Sequence, residues 1–269
     1  MQQPIAILDS GVGGLTVVKE VMRQLPREKI IYFGDTARAP YGPRPSEEVL
    51  RFTREIVDYL IQFNPKMIVI ACNTATAVAL EDIRRRVSIP VVGVIYPGAR
   101  AAIGRTQTGC VGVIGTDGTI NSGAYEIALK RLRPDIEVLS KACPRFVPLV
   151  ERGNFRSSET YDAVNSSLQD LRGTNMDCLI LGCTHYPYLA DTISQVMGPE
   201  VTLISSADET AREISTILHD QGKLSRNEPV PVHQFCCSGD PRLFKSIAQE
   251  WLNKEIELTP VVWQVPKIG

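Results

Sequence analysis

The chain has 269 residues, 43% of them hydrophobic and 22% charged, with 29 Lys+Arg against 30 Asp+Glu for a formal net charge of -1. This is ordinary globular composition, long enough for about two domains, and it excludes a disordered acidic tail and the basic surplus of a nucleic-acid binder. No apolar run approaches the roughly 18 residues of a membrane span. The opening Met-Gln-Gln-Pro-Ile-Ala-Ile-Leu-Asp has no basic leader, so a cytoplasmic protein is expected.

Short apolar runs, partly β-branched and bounded by turn residues, recur along the chain and read as strands buried on both faces of parallel sheets. The first, residues 4–8, runs into Asp9-Ser10-Gly11-Val12-Gly13-Gly14-Leu15-Thr16. A dinucleotide-binding fingerprint requires glycine where Thr16 stands, and Asp9 would repel a phosphate. The loop therefore reads as a tight strand-to-helix turn that exposes the Asp9 carboxylate and the Ser10 hydroxyl. A second strand, 30–34, enters a proline-rich polar loop containing Tyr41 and Gly42, which offers N–H groups to a ligand or simply packs. Ser46, with Glu48 close behind, starts a helix over 46–63. The strand 67–71 ends at Cys72-Asn73-Thr74, and a helix over 74–87 follows. Strands at 91–95, 110–114, 136–139, 178–181 and 201–204 alternate with helices at 121–132, 157–171, 188–197 and 207–220. Such alternation predicts an α/β fold built from βαβ units.

The chain also looks duplicated. Ile5-Ala-Ile-Leu-Asp9-Ser10-Gly11 has a counterpart in Val111-Gly-Val-Ile-Gly115-Thr116-Asp117-Gly118. Asp9 precedes Cys72 by 63 positions and Gly115 precedes Cys183 by 68. The later strands end alike, in Ala71-Cys72-Asn73-Thr74 and Gly182-Cys183-Thr184-His185. Either βα loops simply resemble one another, or two similar lobes place their cysteines symmetrically across a cleft.

Seven cysteines occur, at 72, 110, 143, 178, 183, 236 and 237; the number is odd and none form a Cys-x-x-Cys, against a secreted disulfide framework. With three histidines (185, 219 and 233), no zinc-ligand cluster forms in sequence. Cys110 and Cys178 read as buried hydrophobes. Cys72 and Cys183 instead stand past the C-terminal ends of parallel strands, where open α/β sheets bind ligands. They also stand beside helix N-termini, whose dipoles would lower a thiol pKa.

One cysteine beside a histidine suits a hydrolase nucleophile, but leaves the second thiol unexplained. A non-catalytic two-lobed amino-acid binding module is another reading. Two thiols from matched lobes suit a two-base racemase, with one group on each face of a substrate carbon. One removes a proton while the other donates one, and the roles exchange for the opposite enantiomer. A thiol, with a pKa near about 8.5, can be tuned to serve in both forms near neutrality.

Four ordered motifs carry a resemblance: residues 8–15, Pro40-Tyr41-Gly42-Pro43-Arg44-Pro45, Ala71-Cys72-Asn73-Thr74-Ala75 and Gly182-Cys183-Thr184-His185-Tyr186-Pro187, with Val147-Pro-Leu-Val-Glu151 between the cysteines. On these the chain resembles the glutamate racemases of the cofactor-independent aspartate/glutamate racemase superfamily; His185 favours glutamate over aspartate. An aspartate or hydantoin racemase is the nearest alternative. The resemblance implies two pseudo-symmetric α/β lobes of mostly parallel strands, residues 1–96 with 207–269 and residues 97–206, with the active site in the cleft between them. It implies L-/D-glutamate as substrate, a homodimer, neither pyridoxal phosphate nor metal, and a product that feeds peptidoglycan synthesis. It further implies that Cys183 aided by His185 deprotonates L-glutamate and Cys72 aided by Asp9 deprotonates D-glutamate. Ser10, Tyr41, Gly42, Asn73, Thr74 and Thr184 would bind substrate together with Asp9 and His185, and Glu151 would lie near the site.

Overall fold

A computed structural model describes residues 2–226 and 229–263. Its first unit runs β1 (Ile5–Asp9), α1 (Leu15–Gln24), β2 (Ile30–Gly34), α2 (Ser46–Ile61), β3 (Met67–Ile70), α3 (Asn73–Arg86) and β4 (Val91–Gly93). Helix α4 (Ile95–Arg105) leads to a second unit of β5 (Cys110–Gly115), α5 (Asp117–Asn121), α6 (Ala124–Leu132), β6 (Glu137–Ala142), α7 (Phe146–Glu151), α8 (Ser158–Leu168), β7 (Cys178–Gly182), α9 (Ala190–Met197) and β8 (Thr202–Ser205). Helix α10 (Ser206–Asp220) returns the chain to the first sheet, which β9 (Gln234–Cys237), α11 (Pro241–Leu252) and β10 (Glu257–Pro260) extend.

The two sheets have the orders β10-β9-β2-β1-β3-β4 and β6-β5-β7-β8. All described pairings are parallel. The run β2-β1-β3-β4 matches β6-β5-β7-β8 position for position, so the internal duplication is a repeat of topology. The cysteines follow equivalent strands, Cys72 after β3 and Cys183 after β7.

The apolar strands are continuous because both faces of the sheets are covered. In β1, Ile5 and Ile7 join one cluster with α1, α10 and α11, while Ala6 and Leu8 join another beneath α2 and α3. The first of these clusters continues into Ile114, Leu179 and Leu181 of the second sheet, so the two units share one core. Each such buried Ile or Leu contributes roughly 1.5–3 kcal/mol. This rigid base holds the polar strand-end loops in place.

Several expectations are corrected. Strands β6 and β8 are sheet edges, each with exposed positions, rather than strands buried on both faces. The single helix expected over 121–132 is broken at Gly123, whose φ of 65° interrupts helical geometry between α5 and α6. Strand β4 ends at Gly93 and residue 95 already belongs to α4. Strands β9 and β10 escaped the sequence reading, because β9 is only Gln-Phe-Cys-Cys and β10 is an exposed edge. Among the described residues, no helix is long and apolar enough to cross a membrane.

Candidate active site

The C-terminal ends of β1, β3 and β7 converge on one narrow cleft. It is lined by Ser10 and Gly11 after β1, Cys72, Asn73 and Thr74 after β3, and Gly182, Cys183, Thr184 and His185 from β7 onward. The loop carrying Pro40, Tyr41 and Gly42 also lines it, as do Thr116, Thr119, Val147 and Glu151. Only about 20 Å³ is open to the centre of a water molecule. That is room for about one water in the cleft as it stands.

The glycines of the first loop are explained by this convergence. A Cβ on Gly13 would lie 2.4 Å from Thr184 Oγ1 and 2.5 Å from His185 Nδ1, so only glycine lets the Thr184–His185 loop seat against β1. Thr16, where a nucleotide fingerprint would need glycine, donates its hydroxyl to Gly13 O and Thr184 O at 2.9 and 3.2 Å. Gly42 approaches Thr116 in the same way, and its carbonyl accepts the Gly118 N–H at 2.9 Å.

The thiols have different surroundings. Cys183 Sγ lies 3.8 Å from His185 Nδ1. On the far side of the ring, Nε2 lies 3.3 Å from Glu151 Oε1, without the alignment of a full hydrogen bond. Burial opposes the charged imidazole, but the interactions with Cys183 and then with the Glu151 carboxylate override it and raise His185 to about 10. Both interactions favour the charged form of the ring.

Cys72 is the N-cap of α3, and its sulfur accepts the Ala75 N–H at 3.5 Å. The expected lowering of its pKa by the helix is reversed. Burial, and then the nearby Asp9 charge, push the thiol up to about 12, outweighing the Ala75 N–H and Ser10. A charge on Cys183 adds to this, which places both thiols in one electrostatic environment.

Asp9 is 0% exposed, not presented to solvent as its loop suggested. Oδ1 accepts the Gly11 N–H at 3.0 Å and Oδ2 accepts the Thr184 hydroxyl at 3.4 Å. Burial raises its pKa, against the pull of His185 and the Gly14 and Gly11 N–H groups.

The polar rim is only partly self-satisfied. Thr74 Oγ1 lies 2.9 Å from Thr116 Oγ1 and 3.1 Å from Thr119 Oγ1, a hydroxyl cluster bridging the two units. Tyr41 lines the cleft, but its hydroxyl donates to buried Asp35, leaving ring and backbone for any ligand. Asn73 is 3% exposed, and its Nδ2 donor has no partner. A buried unmade donor costs about 1–3 kcal/mol, and an acceptor entering the cleft would relieve that cost. Thr116, Thr119 and Val147 were not among the site residues expected from sequence. The duplication did signal Thr116, which stands in the repeat where Ser10 stands in the first half. No lysine lines the cleft among the described residues, and no three His, Cys, Asp or Glu side chains converge as metal ligands.

A family model described as Asp/Glu/Hydantoin racemase matches residues 9–214. A glutamate racemase of Bacillus cereus is 56% identical over 257 residues, 96% of each chain. The structure of a glutamate racemase from Bacillus anthracis aligns with a TM-score of 0.94 at 48% identity, covering 96% of this chain and 97% of that one. That of a glutamate racemase from Francisella tularensis, solved in complex with D-glutamate, aligns with a TM-score of 0.90 at 34% identity, covering 98% of each. The match runs through both units and both cysteine motifs, and the chain belongs to the Asp/Glu/hydantoin racemase family.

Proposed function

We propose that this protein interconverts L- and D-glutamate by cofactor-independent proton transfer between two thiols, supplying D-glutamate for peptidoglycan. The observation that carries the reading is the placement of Cys72 and Cys183 after topologically equivalent strands, facing one cleft. Relatives over nearly the full length are glutamate racemases, and one was solved with D-glutamate.

Cys183 and Cys72 are the acid/base pair, with His185 and Asp9 assisting. His185 Nδ1 lies 3.8 Å from the Cys183 sulfur, where a positive ring would stabilise negative charge on that atom during the reaction, and burial pushes the Cys72 thiol up, which favours its protonated form. For L-glutamate the pair begins as a Cys183 thiolate and a Cys72 thiol. The Cys183 thiolate takes the Cα proton, the electron pair of the C–H bond stays on carbon, and the Cys72 thiol delivers its proton to the opposite face. The product is D-glutamate, and the enzyme is left with a Cys183 thiol and a Cys72 thiolate. Proton exchange with solvent restores the starting form. For D-glutamate every step is reversed. Orientation and electrostatic stabilisation of the carbanion supply most of the rate.

Ser10, Tyr41, Gly42, Asn73, Thr74 and Thr184 bind substrate together with Asp9 and His185. The unpartnered Asn73 Nδ2 and the N-terminus of α3 suit a carboxylate. Glu151 acts through His185. We further propose lobes of residues 1–96 with 207–269 and residues 97–206, supported by sheet membership; residues 1, 227, 228 and 264–269 lie outside the described residues. The working form is a cytoplasmic homodimer: seven buried, unpaired cysteines suit a reducing compartment, and dimers are usual in the family.

The test is incubation with L-glutamate in D2O without added cofactor. D-glutamate carrying deuterium at Cα is expected. Activity lost on dialysis and restored only by pyridoxal phosphate or a metal ion would overturn the reading.

A further inference from the structure

We infer that Tyr125 is a positioning residue that sets the orientation of the Asn73 amide and so presents its N–H donors to the substrate. The inference rests on the racemase reading above and adds a residue to it from outside the cleft lining.

Tyr125 stands at the start of α6, in the second unit, and is 2% exposed. Its hydroxyl donates to Asn73 Oδ1 at 2.7 Å, across to the first unit. Glycine makes room for the ring on one side: a Cβ on Gly182, immediately before Cys183, would lie 3.0 Å from the Tyr125 ring. Ser206 adjoins the hydroxyl as a further hydrogen-bond partner. The ring thus packs directly against the backbone that leads into Cys183.

The consequence lies at the other end of the amide. An Asn side chain presents an acceptor on one side and two donors on the other, and rotation about χ2 exchanges them. With Oδ1 held by Tyr125, Nδ2 is the end left over, buried and without a partner in a residue that lines the cleft. A flipped amide would offer oxygen to a substrate carboxylate and repel it. Tyr125 and Asn73 belong to different units, so this hydrogen bond ties the second unit to the orientation of a first-unit site residue.

Tyr125→Phe removes the hydroxyl and keeps the ring. KM for both enantiomers should rise about 5- to 20-fold, the loss of one well-made hydrogen bond to a charged group, with kcat falling less than about threefold. In an Asn73→Ala background, the same substitution should change KM no further, because Tyr125 acts only through Asn73. As a measurement on the unaltered protein, the Asn73 side-chain amide resonances should shift on saturation with D-glutamate. An unchanged KM in a folded Tyr125→Phe protein, additive effects in the double variant, or amide resonances that do not move would each overturn the inference. Loss of the racemase reading itself would look different, since the parent protein would then fail to racemise glutamate at all.

Discussion

The charge state of His185 can be tested by removing the carboxylate behind it. Glu151→Gln keeps the shape of the side chain 3.3 Å from His185 Nε2 but deletes its charge. Two unit charges at that distance interact by about 5 kcal/mol at an effective dielectric of about 20. The Glu151 side chain is 41% exposed, and solvent screening cuts the interaction to about 1–2 kcal/mol. That corresponds to about a tenfold weaker hold on the His185 proton in the variant. His185 is raised above its ordinary 6.5, so its contribution to stability is fully present below pH 6.5 and is lost as pH rises through about 10. In Glu151→Gln that loss sets in about one unit earlier. The assay is kcat/KM against pH, read by chiral analysis from each enantiomer, with the His185 resonance followed by NMR. The alkaline limb should move down by about one unit in the variant. It must move equally in both directions, because the equilibrium constant of a racemisation is unity. An unmoved limb together with an unmoved His185 titration would refute the electrostatic role given to Glu151.

Asp9→Asn should lower turnover by orders of magnitude while leaving the protein folded. Asp9 has its carboxyl raised by burial, so its contribution to stability is present below its unfolded pKa, near 3.8, and lost as pH rises through the folded value. The melting temperature of Asp9→Asn relative to the parent should therefore rise between pH 3 and pH 7; a uniformly lower melting temperature with unchanged turnover would make Asp9 a turn-forming residue only. Replacing either Cys72 or Cys183 by alanine should abolish racemisation. With an analogue carrying a β-leaving group, Cys72→Ala should retain elimination from the L form and Cys183→Ala from the D form; processing of the same enantiomer by both variants would defeat the two-sided assignment. At the opposite end of the first sheet, Lys66 Nζ sits 2.5 Å from Glu28 Oε2, both side chains buried. Lys66→Met removes the charge partner of Glu28, which keeps only its hydrogen bonds from the Ser225 N–H and hydroxyl, and should cost about 3–5 kcal/mol, or roughly 6–20 °C in Tm. Adding Glu28→Gln should recover most of the loss, and a single variant as stable as the parent would contradict the buried pairing.

Much of the site was legible because its chemistry is local in the chain. Asp9-Ser10, Cys72-Asn73-Thr74 and Cys183-Thr184-His185 each follow an apolar run, and the C-terminal end of a buried parallel strand is a site position in any open α/β sheet. The duplication was legible for the same reason, since each half repeats the pattern of strand, polar loop and later cysteine. The element bounds were less so at the edges, where β6 and β10 lack the continuous apolar pattern of central strands.

Environment was not legible. Sequence alone determined which groups stand at strand ends and showed that the two halves carry the same pattern of strand, polar loop and later cysteine. Only the tertiary structure decided what those groups feel. The helix N-terminus at Cys72 would lower a thiol's pKa in water, but packing removes the water and sets Asp9 nearby, and these outweigh the helix. Asp9 was expected in the open and is fully buried, because the Thr184–His185 loop from the other unit closes over Gly13. Tyr125 and Asn73 are 52 positions apart, and nothing in either segment points to the other. Composition and pattern are properties of neighbours along the chain, whereas desolvation, charge coupling and the orientation of an amide depend on neighbours in space.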